Sequence, residues 1–361
     1  MGTLEEIHVK MLNSPGSLCQ TFEKSHMLLR HTDMSVKDEM ESSDNPQTKY
    51  YACGGQTRNT HDGQMKLLLA DEMSIVEGLR HIITTYSISL QDVKDKKKMV
   101  GVVVAGASPG QHFVNLGSTF SFIDFHLYDP CEQSDWDPTL VTKSSSTGRN
   151  ISLIRSKFTD ENAREWRNTH KQYKYVIFLS DLRTGDGHDK AGVSEDMKLQ
   201  RSLTCNMNAD YSVLKFHPPY YDEGDDLHFE YFDGNIYFEG YPPRNSTETR
   251  LHVTDTKRMK IYNSKKYQDQ MFWHNQITRN QELVLFESMK QEDGEMKYFF
   301  ENPLSYDNAY SRFVKLSIQI FLNVDITENK VGRYNFHHDS IRTGTFHIQA
   351  LLEQLHDMHC I

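Results

Sequence analysis

Apolar runs alternate with segments of helical periodicity through the middle of the chain. Met99–Ala105 is a Val-rich apolar run followed at once by Gly and Pro, which is typical of a buried parallel strand. From Gly63 to Ile82 apolar residues recur near helical spacing, with Asp62 as a candidate N-cap. The same patterns predict further strands at Phe122–Tyr128, Ile151–Arg155, Tyr173–Leu179, Tyr211–Phe216 and Leu251–Thr254. They predict further helices at Thr159–Lys171, at Ser194–Met207, and after a capping Ser305 in the stretch that holds Phe313, Leu316, Ile320 and Phe321.

This alternation predicts an α/β fold with a central, mostly parallel sheet flanked by helices on both faces. A chain of 361 residues suits one large domain, or one domain with tails. Residues 1–47 mix polar and charged residues without sustained periodicity, so we expect a weakly ordered N-terminal extension there. The domain itself is predicted at residues 48–326, with a C-terminal tail at 327–361.

Composition excludes several classes of protein. The formal net charge is −10, which argues against nonspecific coating of nucleic acid but allows a local basic groove. The five cysteines include no CxxC pair, so we expect neither a disulfide framework nor a zinc ribbon. The longest apolar run, Met99–Ala107, is too short to span a bilayer, and we expect no membrane association. Histidines and a cysteine near the C-terminus have spacings that a metal could use, but we expect no metal site at His337, His338, His356, His359 and Cys360.

A glycine-containing loop, Gly106–Gly110, directly follows the first apolar strand. Glycine there lets backbone approach a ligand closely at the carboxyl edge of the sheet. The loop is neither a dinucleotide-binding GxGxxG nor a phosphate-binding loop, and a tight strand–helix turn is the plain alternative. Asp129 ends the next strand, where an acid can accept hydrogen bonds from both ribose hydroxyls of a nucleoside, or simply cap a loop. The form Gly-x-x-Pro-Gly resembles the first motif of class I methyltransferases that act on RNA ribose.

Four charged residues lie within or next to predicted helices and strands, in a fixed order along the chain. Lys66 lies early in the first helix, Asp181 ends a strand, Lys215 ends another, and Glu248 precedes Leu251–Thr254. This order is similar to the Lys-Asp-Lys-Glu tetrad of RNA 2′-O-methyltransferases. With flanking segments, the chain from Gly63 to Val324 resembles the poxvirus family of cap-specific 2′-O-methyltransferases, which doubles as the small subunit of the viral poly(A) polymerase. The flanking segments that carry this resemblance are Gln64–Leu69, Ser180–Arg183, Pro218–Asp222, Thr247–Arg250, Tyr267, Ile277–Asn280 and Ile320–Val324.

The resemblance implies a Rossmann-like class I fold that uses S-adenosylmethionine as cofactor. It implies that the cofactor site includes Gln64, Gly106, Ser108, Pro109, Gly110, His112, Asp129 and Arg183. Lys215 would serve as base or hydroxyl-orienting group, with Lys66 as its positive neighbour. Asp181 would fix Lys215, and Glu248 would hold the lysines. A basic role requires a lowered lysine pKa, whereas nearby carboxylates raise it, so positioning stays an alternative to deprotonation.

The family's cap-binding residues have partial counterparts in this chain. A 7-methylguanine cation stacks between aromatic rings and donates hydrogen bonds to a carboxylate. Tyr220 and Asp222 match the stacking ring and the acid, Tyr267 is retained, and Tyr51, or alternatively Tyr50, is the candidate opposing ring. Two positions depart from the family pattern, Gln268 and Asn245, where the family has an acid and a tyrosine.

The resemblance implies capped mRNA and a poly(A) polymerase catalytic subunit as partners, and a location in host cytoplasm or in the virion. Two alternatives remain. One is 2′-O-methylation of uncapped RNA, which loss of the cap pocket would favour. The other is a noncatalytic, RNA-binding polymerase subunit, against which the intact tetrad argues. A small-molecule methyltransferase is disfavoured because two lysines and a glutamate in this order suit a hydroxyl on RNA.

Overall fold

The structure, a computed structural model, describes most of the middle of the chain. The described residues are 30–31, 60–95, 99–145, 150–184, 190–222, 224–243, 246–276, 282–283, 289–290, 296–297, 304–305 and the helical positions 307, 310, 311, 314, 315, 318, 321 and 322. The chain divides into two compact units, His31–Gln276 on the one hand and Met1–Arg30 with Ile277–Ile361 on the other. The tails predicted at 1–47 and 327–361 lie, apart from residues 30 and 31, outside the described residues, and the proposed domain boundaries stay predictions.

Helices and strands alternate through the first of these units. The helices are α1 Thr60–Tyr86, α2 Leu90–Asp95, α3 Phe113–Thr119, α4 Pro138–Ser144, α5 Asp160–Thr169, α6 Lys190–Met207 and α7 Ser264–Gln276, with a 3₁₀ turn at Gln133–Asp135. The longer strands are β2 Val100–Ala105, β3 Asp124–Tyr128, β4 Ile151–Ile154, β5 Tyr175–Ser180, β6 Tyr211–Phe216, β7 His228–Phe232, β8 Asn235–Tyr237, β9 Thr249–Val253 and β10 Met259–Asn263. The two-residue strands are β1 Arg30–His31, β11 Glu282–Leu283, β12 Met289–Lys290, β13 Met296–Lys297 and β14 Leu304–Ser305.

The central sheet contains, in this order, the strands β8-β9-β6-β5-β2-β3-β4, and the two-residue strand β1 is the eighth strand of the same sheet. The five strands from β6 to β4 are parallel, and β9 runs antiparallel to both β6 and β8. After β2 the chain adds β3 and β4 on one side, then β5 and β6 on the other. This reversal opens a crevice at the carboxyl ends of β2 and β5, where open α/β sheets bind ligands.

Helices cover both faces of the sheet. On one face α1 approaches β5 closely at Gly78, where a Cβ atom would lie 2.8 Å from Cδ1 of Ile177. Side chains alternate along a strand, so Val176 and Phe178 point to the opposite face, where they join the core formed with α6 residues such as Met197. β7 and β10 pair antiparallel in a separate two-stranded sheet. The predicted α/β fold with a mostly parallel sheet between helical layers is confirmed.

Three predicted helix starts are wrong. α1 begins at Thr60, so Asp62 lies inside the helix and not at its cap. α6 begins at Lys190, four residues before Ser194, because Val193 is buried in the core and extends the helix backwards. Ser305 lies in β14. Residues that favour caps also occur within first turns and strands, so a cap signal without packing information misplaces the boundary.

Part of the predicted C-terminal helix lies among the described positions. Tyr310, Val314, Ile318, Phe321 and Leu322 are helical and buried at spacings of three and four residues, as an apolar helical face requires. Phe313, Leu316 and Ile320, named in the prediction, lie outside the described residues. In the described part of the chain, no helix combines the length and apolar character needed to cross a bilayer.

Candidate active site

The loop after β2 folds back across the carboxyl edge of the sheet. Gly106 has φ +83°, and a Cβ atom there would lie 2.9 Å from the backbone oxygen of Asp181, so only glycine fits. The N–H groups of Gly106 and Ala107 both donate to the carbonyl of Tyr128, at 3.0 and 3.2 Å. These contacts hold the loop close to the ends of β3 and β5.

Asp129 is placed directly beyond β3, as expected. Its Oδ2 accepts a hydrogen bond from the N–H of Ser108 at 3.2 Å, and its Oδ1 accepts one from the N–H of Cys131 at 3.0 Å. The carboxylate is therefore fixed beside the glycine loop. Pro109 and Gly110 complete the turn, and the carbonyl of Pro109 accepts from the N–H of Asp137 at 2.9 Å.

A cleft lies between this loop, α1 and the ends of the central strands. Its lining includes Asp71, Gly106, Ser108, His112, Asp181 and Arg250. His112 is buried between α1 side chains, with Nδ1 3.3 Å from Oε1 of Gln64 and Nε2 3.0 Å from Oδ2 of Asp71. His112 and Gln64 thus meet at one wall of the cleft. Asp71, one helical turn beyond Leu67, was not anticipated from the sequence.

The four tetrad side chains converge beside Asp181, which also lines the cleft. Nζ of Lys66 lies 2.7 Å from Oε1 of Glu248, and Nζ of Lys215 lies 3.4 Å from Oε2 of the same carboxylate. Nζ of Lys215 is also 3.0 Å from Oδ1 of Asp181. The antiparallel pairing of β6 with β9, in which Phe216 faces Thr249, brings Glu248 to the carboxyl end of β6 beside Lys215.

Two further side chains, those of Arg250 and Glu239, belong to this cluster. Nη1 of Arg250 lies 2.7 Å from Oδ1 of Asp181, and its Nε lies 2.7 Å from Oε1 of Glu239. Oε2 of Glu239 lies 3.3 Å from Nζ of Lys66. Arg250 stands two residues after Glu248, on the same side of an extended chain, and this spacing could have revealed it. Glu239 follows β8, which the hydrophobic pattern did not predict, and carries no comparable signal.

The electrostatics of the cluster follow from burial opposed by close opposite charges. Burial lowers the pKa of Lys66, but the carboxylates of Glu239 and Glu248 outweigh it and raise that pKa above its usual value. Burial raises the pKa of Asp181 and of Glu248, but Lys215 and the other cations outweigh it, so both pKa values fall below their usual range. The two acids are therefore ionised at neutral pH, and Lys66 is an ammonium.

Arg183 was expected at the cofactor site. Its Nη2 lies 3.5 Å from Oε2 of Glu248, and its Nη1 lies 3.7 Å from Oδ2 of the buried Asp196 on α6. Arg183 therefore contacts Glu248, one of the two acids of the tetrad. Thr184, the next residue, donates its N–H and hydroxyl to Oδ1 of Asp196, which anchors this segment to α6.

The predicted cap residues lie just beyond β6. The ring of Tyr220 is half-buried and packs on the ring of His217, with centroids 4.3 Å apart. Asp222 is exposed, and its N–H donates to Oδ2 of Asp225 at 2.7 Å. Lys190 contacts Asp225 and lies 3.9 Å from the Asp222 carboxylate.

Tyr267 and Gln268 of α7 lie beside the segment that follows β6. Tyr267 is buried, and its hydroxyl donates to the carbonyl of Thr247 at 2.6 Å and lies 2.9 Å from Oγ1 of Thr249. Oε1 of Gln268 accepts a hydrogen bond from the N–H of Tyr221 at 3.3 Å. Tyr50, Tyr51 and Asn245 lie outside the described residues.

Among the described residues no group of three or more histidines, cysteines or acids is arranged to hold a metal ion. The C-terminal histidines and Cys360 lie outside the described part of the chain. In the cluster of charged residues described above, each acid pairs with lysine or arginine side chains, which compensate its negative charge.

The sheet order, the ligand crevice at its switch point and the glycine loop beside Asp129 define a Rossmann-like α/β fold of the class I methyltransferase type. The chain belongs to the family described as poly A polymerase regulatory subunit, whose model matches residues 27–326. This membership confirms the resemblance seen in the sequence.

Known proteins from viruses are similar to this chain. Two proteins named cap-specific mRNA (nucleoside-2′-O-)-methyltransferase, from myxoma virus strains Lausanne and Uriarra, are each 24% identical over 302 residues, covering 78% of this chain and 76% of the relative. Bluetongue virus VP4, described as a multifunctional RNA-capping production line, superposes with a TM-score of 0.35 and 12% identity. That match covers 49% of this chain, and this chain spans only 29% of the VP4 chain.

Proposed function

We propose that this protein transfers a methyl group from S-adenosylmethionine to the ribose 2′-hydroxyl of the first transcribed nucleotide of capped mRNA. The observation that carries the proposal is the convergence of Lys66, Asp181, Lys215 and Glu248 beside the crevice at the ends of β2 and β5. The names of the myxoma virus relatives support the same reaction.

Several groups in and beside the cleft support S-adenosylmethionine as the cofactor. When bound, the cofactor supplies a methyl group on a positively charged sulfur. The Asp129 carboxylate, fixed by two backbone N–H groups, lies beside the glycine loop at the end of β3. An acid at this position of such a fold accepts hydrogen bonds from ribose hydroxyls, which supports a nucleoside cofactor. The bend at Gly106 brings backbone to the ligand without a side chain in between. Asp71 and Asp181 line the same cleft and favour a cationic ligand.

The lysines in this arrangement orient the nucleophile. Lys215 is held by Asp181 on one side and Glu248 on the other, which leaves few rotamers open to its side chain. An ammonium donates hydrogen bonds to a hydroxyl oxygen but does not accept its proton, and the carboxylates keep Lys66 in that form. Alignment of the 2′-oxygen with the methyl group is the effect that these contacts favour. The carbon–oxygen bond forms as the carbon–sulfur bond breaks, and the hydroxyl proton passes to water.

Recognition of the cap falls to the segment after β6. An aromatic face attracts the cationic 7-methylguanine base, and a carboxylate accepts its N–H donors. Tyr220 and Asp222 supply these two groups within three residues, and Asp222 is accessible to solvent. The bond from Tyr221 to Gln268 and the buried Tyr267 hold this segment against the domain.

The test is incubation of the protein with tritiated S-adenosylmethionine and short RNA that carries a 7-methylguanosine cap. The controls are the same RNA uncapped, the same RNA already 2′-O-methylated at the first nucleotide, and the Lys215→Ala protein. Label on the capped, unmethylated RNA alone, lost in the variant, is the expected result. Label on uncapped RNA as well would remove the cap from the mechanism. Absence of label on every RNA, with cofactor binding intact, would favour a noncatalytic subunit.

We also propose that the protein binds a poly(A) polymerase catalytic subunit, since it belongs to the regulatory subunit family. The test is sedimentation of the protein with the catalytic subunit from the same source, together with measurement of tail length on an oligoadenylate primer. Longer tails with a 1:1 complex are expected, and independent sedimentation with unchanged tails would contradict the proposal.

A further inference from the structure

The tetrad is part of a larger closed arrangement of charges. Starting at Lys66, ion pairs run to Glu248 at 2.7 Å, from Glu248 to Lys215 at 3.4 Å, and from Lys215 to Asp181 at 3.0 Å. They continue from Asp181 to Arg250 at 2.7 Å and from there to Glu239 at 2.7 Å. Glu239 returns to Lys66 at 3.3 Å, so three cations and three carboxylates alternate around a ring.

Glu239 is the member of this ring that has no access to a substrate. Its side chain has 0% exposure, whereas the side chains of Lys66, Asp181, Lys215 and Glu248 retain between 10% and 26%. Any influence on the reaction must therefore pass through its two neighbours, Lys66 and Arg250. A buried carboxylate is retained at such a position only when its charge is compensated, and each of its oxygens faces a different cation.

We propose that Glu239 is a positioning residue for methyl transfer, because it closes the ring and thereby fixes Lys66 and, through Arg250, Asp181. This inference rests on the proposed function. Without the carboxylate, Lys66 keeps Glu248 as its close acid, and the guanidinium of Arg250 loses the partner of its Nε atom. Asp181 and Lys215 would then shift together, since Arg250 and Lys215 contact the same oxygen, Oδ1 of Asp181.

The ring also determines the charge state of Lys66. The groups that face Lys66 are Glu239, Glu248 and Asp181, which favour the ammonium, and Arg250, which opposes it together with burial. Glu239 is the strongest of the three acids in this balance. Its neutralisation leaves Lys66 buried beside Arg250 with weaker compensation, so the pKa of Lys66 should fall. A role in packing alone would produce no such change.

The experiment compares three variants with the wild type in the capped-RNA assay over pH 6 to 10. Glu239→Gln removes the charge and keeps the shape, and Glu239→Asp keeps the charge but is too short to reach both neighbours. Glu77→Gln is the matched control, because Glu77 is equally buried and pairs with Arg80 at 2.9 Å outside the ring. Thermal unfolding of each variant shows whether it is folded.

For Glu239→Gln we expect kcat to fall roughly tenfold or more, with KM values little changed. Glu239→Gln should lose activity toward the alkaline end of this range, because the pKa of Lys66 falls, whereas the wild type should not. Glu239→Asp should lower kcat but keep the wild-type pH profile, and Glu77→Gln should change stability alone. A kcat and pH profile for Glu239→Gln that match those of Glu77→Gln would overturn the proposal. If Glu239→Gln does not fold, Glu239→Asp decides, and a wild-type kcat for it would overturn the proposal.

A second readout separates this inference from the proposed function. Heteronuclear NMR of the lysine Nζ groups, with the Lys66 signal assigned through Lys66→Arg, reports the pKa of Lys66 without RNA. A lower pKa in Glu239→Gln than in the wild type is expected even if wild-type protein methylates no RNA. An unchanged pKa would overturn the inference, whereas an inactive wild type would overturn the proposed function.

Discussion

Arg250 and Asp181 are separated by 69 residues in sequence, yet Nη1 of the arginine lies 2.7 Å from Oδ1 of the aspartate. The contact joins β9, an antiparallel strand, to the end of the parallel strand β5. It is buried on the arginine side, where only 5% of the side chain is exposed. Through this contact Arg250 on the antiparallel strand β9 fixes the position of Asp181, which follows the parallel strand β5.

Replacement of Arg250 by lysine should lower kcat for 2′-O-methylation about 10- to 100-fold, because one ammonium cannot contact Asp181 and Glu239 in the fork geometry of a guanidinium. The steady-state rate on capped RNA is the measurement. Arg258→Lys is the control, since Arg258 is 70% exposed and its partner Asp233 lies outside the ring. Equal rates for the two variants would show that the guanidinium has no positioning effect.

Replacement of Gly106 by alanine should abolish cofactor binding and destabilise the protein. The added Cβ would lie 2.9 Å from the backbone oxygen of Asp181 at φ +83°, a left-handed conformation that costs a side chain roughly 1–2 kcal/mol before any clash. Calorimetric titration with S-adenosylmethionine and thermal unfolding measure the two effects. Gly63→Ala is the control, because no atom lies within 4 Å of its Cβ position and alanine favours a helix. Tight cofactor binding by Gly106→Ala would contradict this account of the loop.

Replacement of Tyr220 by alanine should weaken binding of a 7-methylguanosine cap analogue about tenfold, since stacking of a base on an aromatic ring contributes roughly 1–3 kcal/mol. Tyr220→Phe keeps the ring and should bind the analogue as the wild type does. Fluorescence titration with capped and unmethylated-cap dinucleotides gives both affinities. Indistinguishable affinities for Tyr220→Ala and Tyr220→Phe would leave Tyr220 a packing residue on His217.

Acid should destabilise the protein in part through His252. This residue is buried on β9, stacks on Tyr237 and lies 2.7 Å from the hydroxyl of Tyr211, and burial lowers its pKa to about 3. Between pH 6.5 and that value the unfolded chain binds a proton that the folded protein does not, so stability present above pH 6.5 is lost as pH falls. The slope from one such group is about 1.4 kcal/mol per pH unit.

Urea unfolding of wild type and His252→Asn at pH 4, 5, 6 and 7 measures this effect. The variant should be less stable at pH 7 but should lose less of its free energy of unfolding on acidification. A dependence on pH that is identical in the two proteins would show that His252 is not responsible.

The sequence by itself determined the parallel core and the residues that follow its strands. β2, β5 and β6 are short, largely apolar strands that are buried on both sides, and charged residues stand only at or near their carboxyl ends. Because parallel strands end at one edge, Asp129, Asp181 and Lys215 were expected at that edge, and the resemblance to the family added Lys66 to the site. The sequence was sufficient to predict these strands because the apolar run and the polar residue that follows it lie within a few positions of each other.

Only the tertiary structure decided how that site is completed. The antiparallel insertion of β9 between β6 and β8 brings Arg250 and Glu239 to the tetrad, and no local pattern specifies which strands become neighbours. The start of α6 at Lys190 likewise depends on packing, because the buried Val193 extends the helix beyond the capping signal at Ser194. The physical reason is the same in both cases: a buried charge or a helical turn is stabilised by groups distant in sequence, and their proximity exists only in the folded chain.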